Sequence, residues 1–87
     1  MIRQAARFRR DVKRLRRQGR DLAQLELVIK TLAAENPLNG RYRDHALIGN
    51  WRGFRECRLQ PDWLLIYRVE GDELQLARTD SHAELFG

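Results

Sequence analysis

The residues able to do chemistry are concentrated in the second half of the chain. His45 follows Asp44, Glu56 and Arg58 stand two apart, Asp62 follows Pro61, and His82 closes the run Thr79-Asp80-Ser81-His82. These are the only two histidines of the 87 residues. An unperturbed histidine has a pKa of about 6.5, so it can take up or release a proton near neutrality. A carboxylate such as Asp62 or Glu56 can act as a base or hold a histidine in one tautomer. A guanidinium such as that of Arg58 presents a fixed fork to phosphate oxygens. Together these types suit RNA cleavage by internal transesterification, in which a base deprotonates the ribose 2′-OH and an acid protonates the departing 5′-oxygen. Cations stabilise the charge that gathers on phosphorus. Neither a metal nor another cofactor is called for. Phe86 and Trp51 offer flat faces on which a splayed base could stack.

Each of these residues also has a plainer role open to it. His45 could cap its loop, and His82 could bond a C-terminal carbonyl. Glu56 and Arg58 could be an ordinary same-face ion pair of little energetic weight. Asp62 could serve only the turn after Pro61, and Phe86 could tuck the terminus onto the domain. No metal-ligand spacing of the HExxH kind occurs.

The positioning elements follow from periodicity. Residues 1–4 read as a short edge strand. Phe8, Val12 and Leu15 mark one face of a helix that ends near Gln18-Gly19, and Leu22, Leu25, Ile29 and Leu32 mark a second helix running to about Glu35. Asp21 reads as its N-cap, with Gln24 completing a capping box. The short join makes the two an antiparallel hairpin. Asn36-Pro37-Leu38-Asn39-Gly40 stops the second helix, and residues 41–50 read as a loop with Leu47 and Ile48 dipping into the core. Three strands follow, over 52–59, Trp63–Tyr67 and Leu74–Thr79, joined by turns at Gln60-Pro61-Asp62 and Gly71-Asp72. The expected fold is α+β, one domain over 1–87, with an N-terminal helical hairpin on one face of a small antiparallel sheet. The opposite face, carrying Phe54, Glu56 and Arg58, is expected to stay open. It would gather His45, Glu56, Arg58, Asp62 and His82 around one concavity, with Asp62 close to Arg58.

Charge points to a polyanion. The chain carries a net +5, and residues 1–20 alone hold nine Lys/Arg against one Asp. Arg7, Arg10, Arg14 and Arg17 form a stripe on the first helix and, with Arg52 and Arg78, are the candidate RNA contacts. A solvated helix face explains the same stripe, and a membrane surface suits it less, because the apolar side is needed for the core. No apolar run approaches the ~20 residues of a membrane span. The opening residues lack the apolar stretch of a signal peptide, and the single Cys57 suits a reducing cytoplasm.

The motifs in order resemble the YafQ branch of the RelE-like toxins of bacterial toxin–antitoxin pairs. They are Arg43-Asp44-His45-Ala46-Leu47, Trp51-Arg52-Gly53-Phe54-Arg55-Glu56-Cys57-Arg58, Pro61-Asp62-Trp63-Leu64-Leu65-Ile66-Tyr67 and Thr79-Asp80-Ser81-His82-Ala83-Glu84-Leu85-Phe86. The resemblance is nearly continuous from residue 42 onward and looser over the helices. It implies a RelE-like fold and a ribosome-dependent mRNA endoribonuclease. It places the family's catalytic positions on His45, Glu56, Asp62, His82 and Phe86. It also implies a cognate antitoxin that wraps the toxin, basic helices set against ribosomal RNA, and contact with operator DNA only through the toxin–antitoxin complex. One position departs from the family pattern, since Arg58 stands where a histidine is usual. A guanidinium stays protonated at neutral pH, so Arg58 can stabilise charge but cannot inherit a general-base role. The rival reading is a non-catalytic RNA- or protein-binding module of the same fold.

Overall fold

In the computed structural model, which describes residues 1–87, the second half of the chain folds as a meander of three long strands. These are β3 (Arg55–Gln60), β4 (Trp63–Glu70) and β5 (Glu73–Asp80), all antiparallel. β4 reads Trp63-Leu64-Leu65-Ile66-Tyr67, and all five side chains are buried because it lies at the centre. Two short strands close the edges in the order β1-β5-β4-β3-β2. β1 (Ile2–Gln4) joins β5 in parallel, so the sheet is mixed rather than purely antiparallel. β2 (His45–Ala46), inside the segment expected to be loop, pairs with β3 and places His45 opposite Glu56.

The helices α1 (Ala6–Arg17) and α2 (Ala23–Ala33) cover one face. Phe8, Leu15, Leu25 and Val28 meet Cys57, Leu59, Trp63, Leu65, Tyr67, Leu74 and Leu76 in the main core. Gly19 leaves α1 in the left-handed conformation at φ +79°, as the Gln18-Gly19 boundary predicts. Asp21 bonds the Ala23 N–H (2.9 Å), so it caps α2 from one position further out. Gln24 does not complete the capping box; its amide donates to the Tyr42 hydroxyl at 2.7 Å.

The opposite face is less open than the alternation of Phe54, Glu56 and Arg58 suggests. Leu64 and Ile66 point into it and are covered by Leu85 of the short C-terminal helix α3 (His82–Phe86), with Leu47, Trp51, Phe54 and Ala77 around them. Trp51 is thereby a packing residue, edge-on to Phe54 (5.3 Å between centroids, 86° between planes), not a free stacking platform. Ile48, expected in the core, is 89% exposed. It precedes a 3₁₀ turn (Gly49–Trp51), and the apolar contact on that side comes from Leu47 instead. No helix is long and apolar enough to cross a membrane.

A bulge in β5 has the largest consequence. Ile66 faces Arg78 but Tyr67 faces Leu76, which leaves Ala77 without a partner. Past Leu76, β1 no longer pairs with β5, and α1 supplies Asp11 to that bare edge. One Asp11 oxygen accepts from Arg14 (2.9 Å) and Arg78 (3.1 Å), the other from Arg78 (2.7 Å) and the Thr79 N–H (3.1 Å). Arg14 also pairs with Asp80. Burial alone would raise the Asp11 carboxyl, but the bonds from Arg78, Thr79 and Arg14 outweigh it and hold the pKa below its ordinary value. The same contacts raise Arg14 and Arg78.

Candidate functional site

The site residues fall into two groups at the ends and edge of the sheet. The first is built on β2 and β3. Asp44 anchors the approach to β2, accepting from the Tyr67 hydroxyl at 2.6 Å and Arg55 at 3.1 Å. Burial first, then that bond, pushes the Tyr67 phenol well above its ordinary pKa, so it stays a donor. The His45 ring is then fixed from one side, with Nδ1 2.7 Å from the Arg43 carbonyl oxygen. A carbonyl only accepts, so Nδ1 carries the proton and a neutral ring has its lone pair on Nε2. That Nε2 faces Glu56 Oε1 at 3.8 Å, too long for a hydrogen bond. Arg58, two residues along the same face of β3, is exposed and makes no ion pair. Arg43, Asp44, His45, Glu56 and Arg58 line one cleft of about 430 Å³.

The second group sits where β5 gives way to α3. Ser81 caps α3 by accepting from the Glu84 N–H at 3.2 Å, and the Asp62 carboxylate accepts from the His82 backbone N–H at 3.3 Å. The His82 ring lies against Phe86, 5.0 Å between centroids and tilted by 44°. Asp62 therefore holds the His82 main chain, not an imidazole nitrogen. Nor does it pair with Arg58: the β3–β4 ladder slips between Arg58 and Gln60, and Asp62 lies exposed in the turn beyond.

The single concavity expected from the sequence is thus divided. Arg58, Leu64 and Asp80 occupy one cross-strand row, so the His45 cleft and the start of α3 are separated by β4 and its leucines. Two strand spacings amount to about 10 Å. No three His, Cys, Asp or Glu side chains gather as a metal site.

The basic residues also divide. Arg7, Arg10, Arg17 and Arg52 are exposed and have no internal partner. Arg14 and Arg78, expected as RNA contacts, are engaged with Asp11 and Asp80; Arg78 is only 14% exposed in its side chain. Their guanidinia serve the fold. Asp11 escapes sequence reasoning because an acid among arginines reads as surface. Arg43 could have been flagged by its place next to Asp44-His45.

With this geometry in hand, comparison with known proteins is specific. The whole chain, residues 1–87, matches the family described as "Bacterial toxin of type II toxin-antitoxin system, YafQ". It is 38% identical over 88 residues to the mRNA interferase toxin YafQ of Escherichia coli K12, covering 99% of this chain and 95% of that protein. Its backbone is similar to the crystal structure of YafQ from E. coli BL21(DE3), with a TM-score of 0.96 at 34% identity, covering 100% of this chain and 98% of that one. It is also similar to a chain of the E. coli DinJ–YafQ complex, with a TM-score of 0.93 at 35% identity over 100% and 98% of the two chains. The fold is RelE-like, and the chain belongs to the YafQ family of bacterial type II toxin–antitoxin toxins.

Proposed function

We propose that this protein is an mRNA endoribonuclease that acts in the cytoplasm on the ribosome and is neutralised by a cognate antitoxin. Its relatives in E. coli carry the name mRNA interferase, and one of them is solved in complex with DinJ. The observation that carries the reading is the cleft in which a tautomer-locked His45, Glu56 and an unpaired Arg58 face one another.

In the proposed reaction His45 Nε2 or the His82 imidazole takes the 2′-OH proton, and the 2′-oxygen attacks phosphorus. The P–O5′ bond breaks, and the other histidine protonates the departing oxygen. Arg58 neutralises charge on the non-bridging oxygens, Glu56 steadies the protonated form of His45, and Phe86 keeps the His82 ring in place. Asp62 acts by holding the His82 backbone. The products are a 2′,3′-cyclic phosphate and a 5′-hydroxyl. The exposed Arg7, Arg10, Arg17 and Arg52 are the contacts to ribosomal RNA. Operator DNA is met through the antitoxin complex.

The test is cleavage of a defined mRNA with and without programmed ribosomes, EDTA being present in the ribosome-free arm. The 3′ ends are mapped chemically and His82→Ala is run alongside. Ribosome-dependent cuts ending in cyclic phosphate and lost in the variant are expected. Tight binding with no cuts in either arm would leave a binding module, a reading favoured by the proton-locked Arg58. In that event Arg58→His should create cleavage.

A further inference from the structure

The His45 cleft does not end at Arg58. Arg43 and Arg58 also line a second cleft, of about 290 Å³, together with Gln24, Arg41, Tyr42 and Gln60. Its walls carry three guanidinia and no carboxylate, and none of the three forms an ion pair. The first cleft, by contrast, holds Asp44 and Glu56. The basic wall is built and not incidental. Asn39 caps the 3₁₀ turn Gly40–Tyr42 by accepting from the Arg41 N–H at 3.0 Å. The Arg41 guanidinium lies 4.9 Å over the Tyr42 ring and donates to its hydroxyl at 2.9 Å. Gln24 of α2 donates to the same hydroxyl, tying the turn to the helical layer. Arg43 then turns through a left-handed conformation, φ +50°, that a non-glycine residue adopts at a cost. That turn lets one residue border both clefts while its carbonyl fixes His45.

Resting on the nuclease reading, we propose that the second cleft is a backbone subsite: it binds the phosphodiester next to the one being cut, through Arg41, Arg43 and the amide of Gln60. A strand leaving the His45 cleft past Arg58 enters a channel with three guanidinia, polar amides and no carboxylate, which suits a phosphate and carries no base-specific readout. Arg58 contacts the reacting group, and Arg41 holds the neighbouring one.

The experiment measures binding of a short, uncleavable 2′-O-methyl oligoribonucleotide over a salt series, in the purified protein and two variants. Arg41→Ala removes one contact, and Gln60→Glu puts a carboxylate into the cleft at an exposed position with no internal bond. Both should lower affinity about tenfold or more, and Arg41→Ala should flatten the plot of log affinity against log salt by about 0.7. Arg41→Lys should restore the slope. An unchanged slope and affinity in both variants, or no binding by the parent protein, overturns the subsite. So does weakened binding of an oligoglutamate peptide with oligonucleotide binding intact, which would give the cleft to an acidic protein segment. RNA cleavage by both variants with parental KM would sink the subsite and leave the nuclease standing. Binding losses as expected in a protein that never cuts RNA would do the reverse.

Discussion

Replacing Asp11 by asparagine tests the argument that the first helix is held to the last long strand by charge. The Asp11 carboxylate accepts four N–H bonds, and its side chain is 3% exposed. In the variant, the Thr79 N–H faces an amide with half the acceptors, and a poorly satisfied buried donor costs about 1–3 kcal/mol. Arg78 keeps its charge without a counter-charge, and breaking a buried pair from one side costs about 3–5 kcal/mol in well-shielded cases. Arg14 adds little, being 39% exposed and still paired with Asp80. Asparagine recovers part of the geometry, so the net loss should be about 3 kcal/mol. A domain of this size has about 4–13 kcal/mol in total, and each kcal/mol moves its midpoint by about 4–8 °C. Urea denaturation at pH 7 with thermal melts alongside should show a drop of about 12–24 °C. The pH dependence carries a sign. Because folding lowers the Asp11 pKa from its ordinary 3.8, its contribution is complete above that value and fades as pH falls through the folded pKa. The gap between parent and variant should therefore narrow below about pH 4. A loss under about 1 kcal/mol at neutral pH, or a gap that widens in acid, refutes the reasoning.

Asp62→Asn retains an acceptor for the His82 N–H and should keep cleavage within about threefold, whereas Asp62→Ala should lose about tenfold or more; equal losses in both would return Asp62 to proton transfer. Phe86→Ala should lower kcat while leaving the melting midpoint within about 8 °C, since the ring is partly exposed and anchors His82 more than the core. Cys57 is fully buried, and burial, with Asp44 and Glu56 nearby, pushes its thiol up to about 12. Its alkylation should track global unfolding, and rapid labelling of the native protein would contradict the packing described.

Sequence periodicity located both long helices, the three long strands and their turns, because each buries a face whose spacing is visible along the chain. What it missed depends on pairings between distant segments. β2 is two residues long and exists only because His45 lies against Glu56. The β5 bulge follows from α1 passing an unpaired edge, which no local pattern encodes. Phe54, Glu56 and Arg58 alternate as an open face should, yet Leu64, Ile66 and Leu85 belong to the same face from other elements. The residues of the candidate site were legible as types. Their division into two groups was not, because it rests on the pairings of Arg58 with Leu64 and of Leu64 with Asp80, which set β4 between them. The same blindness assigned Arg14 and Arg78 to a partner: charge is read from composition, but a counter-ion 67 residues away in the chain is not.

The parallel pairing of β1 with β5 has a consequence for how the protein comes into being. Leu74 donates to the Met1 carbonyl at 2.8 Å, and Thr79 to Asp11 across 68 residues of chain. The first elements synthesised thus have their partners among the last. An emerging chain can form α1 and α2, and α2 can meet β3 and Tyr42, but the strand on which α1 chiefly packs is β5, so α1 cannot dock fully until β5 arrives. Contacts of such long sequence separation slow folding and leave sticky intermediates exposed. The His45 cleft on β2 and β3 and the turn into α3 are carried on one sheet only once β4 and β5 have paired.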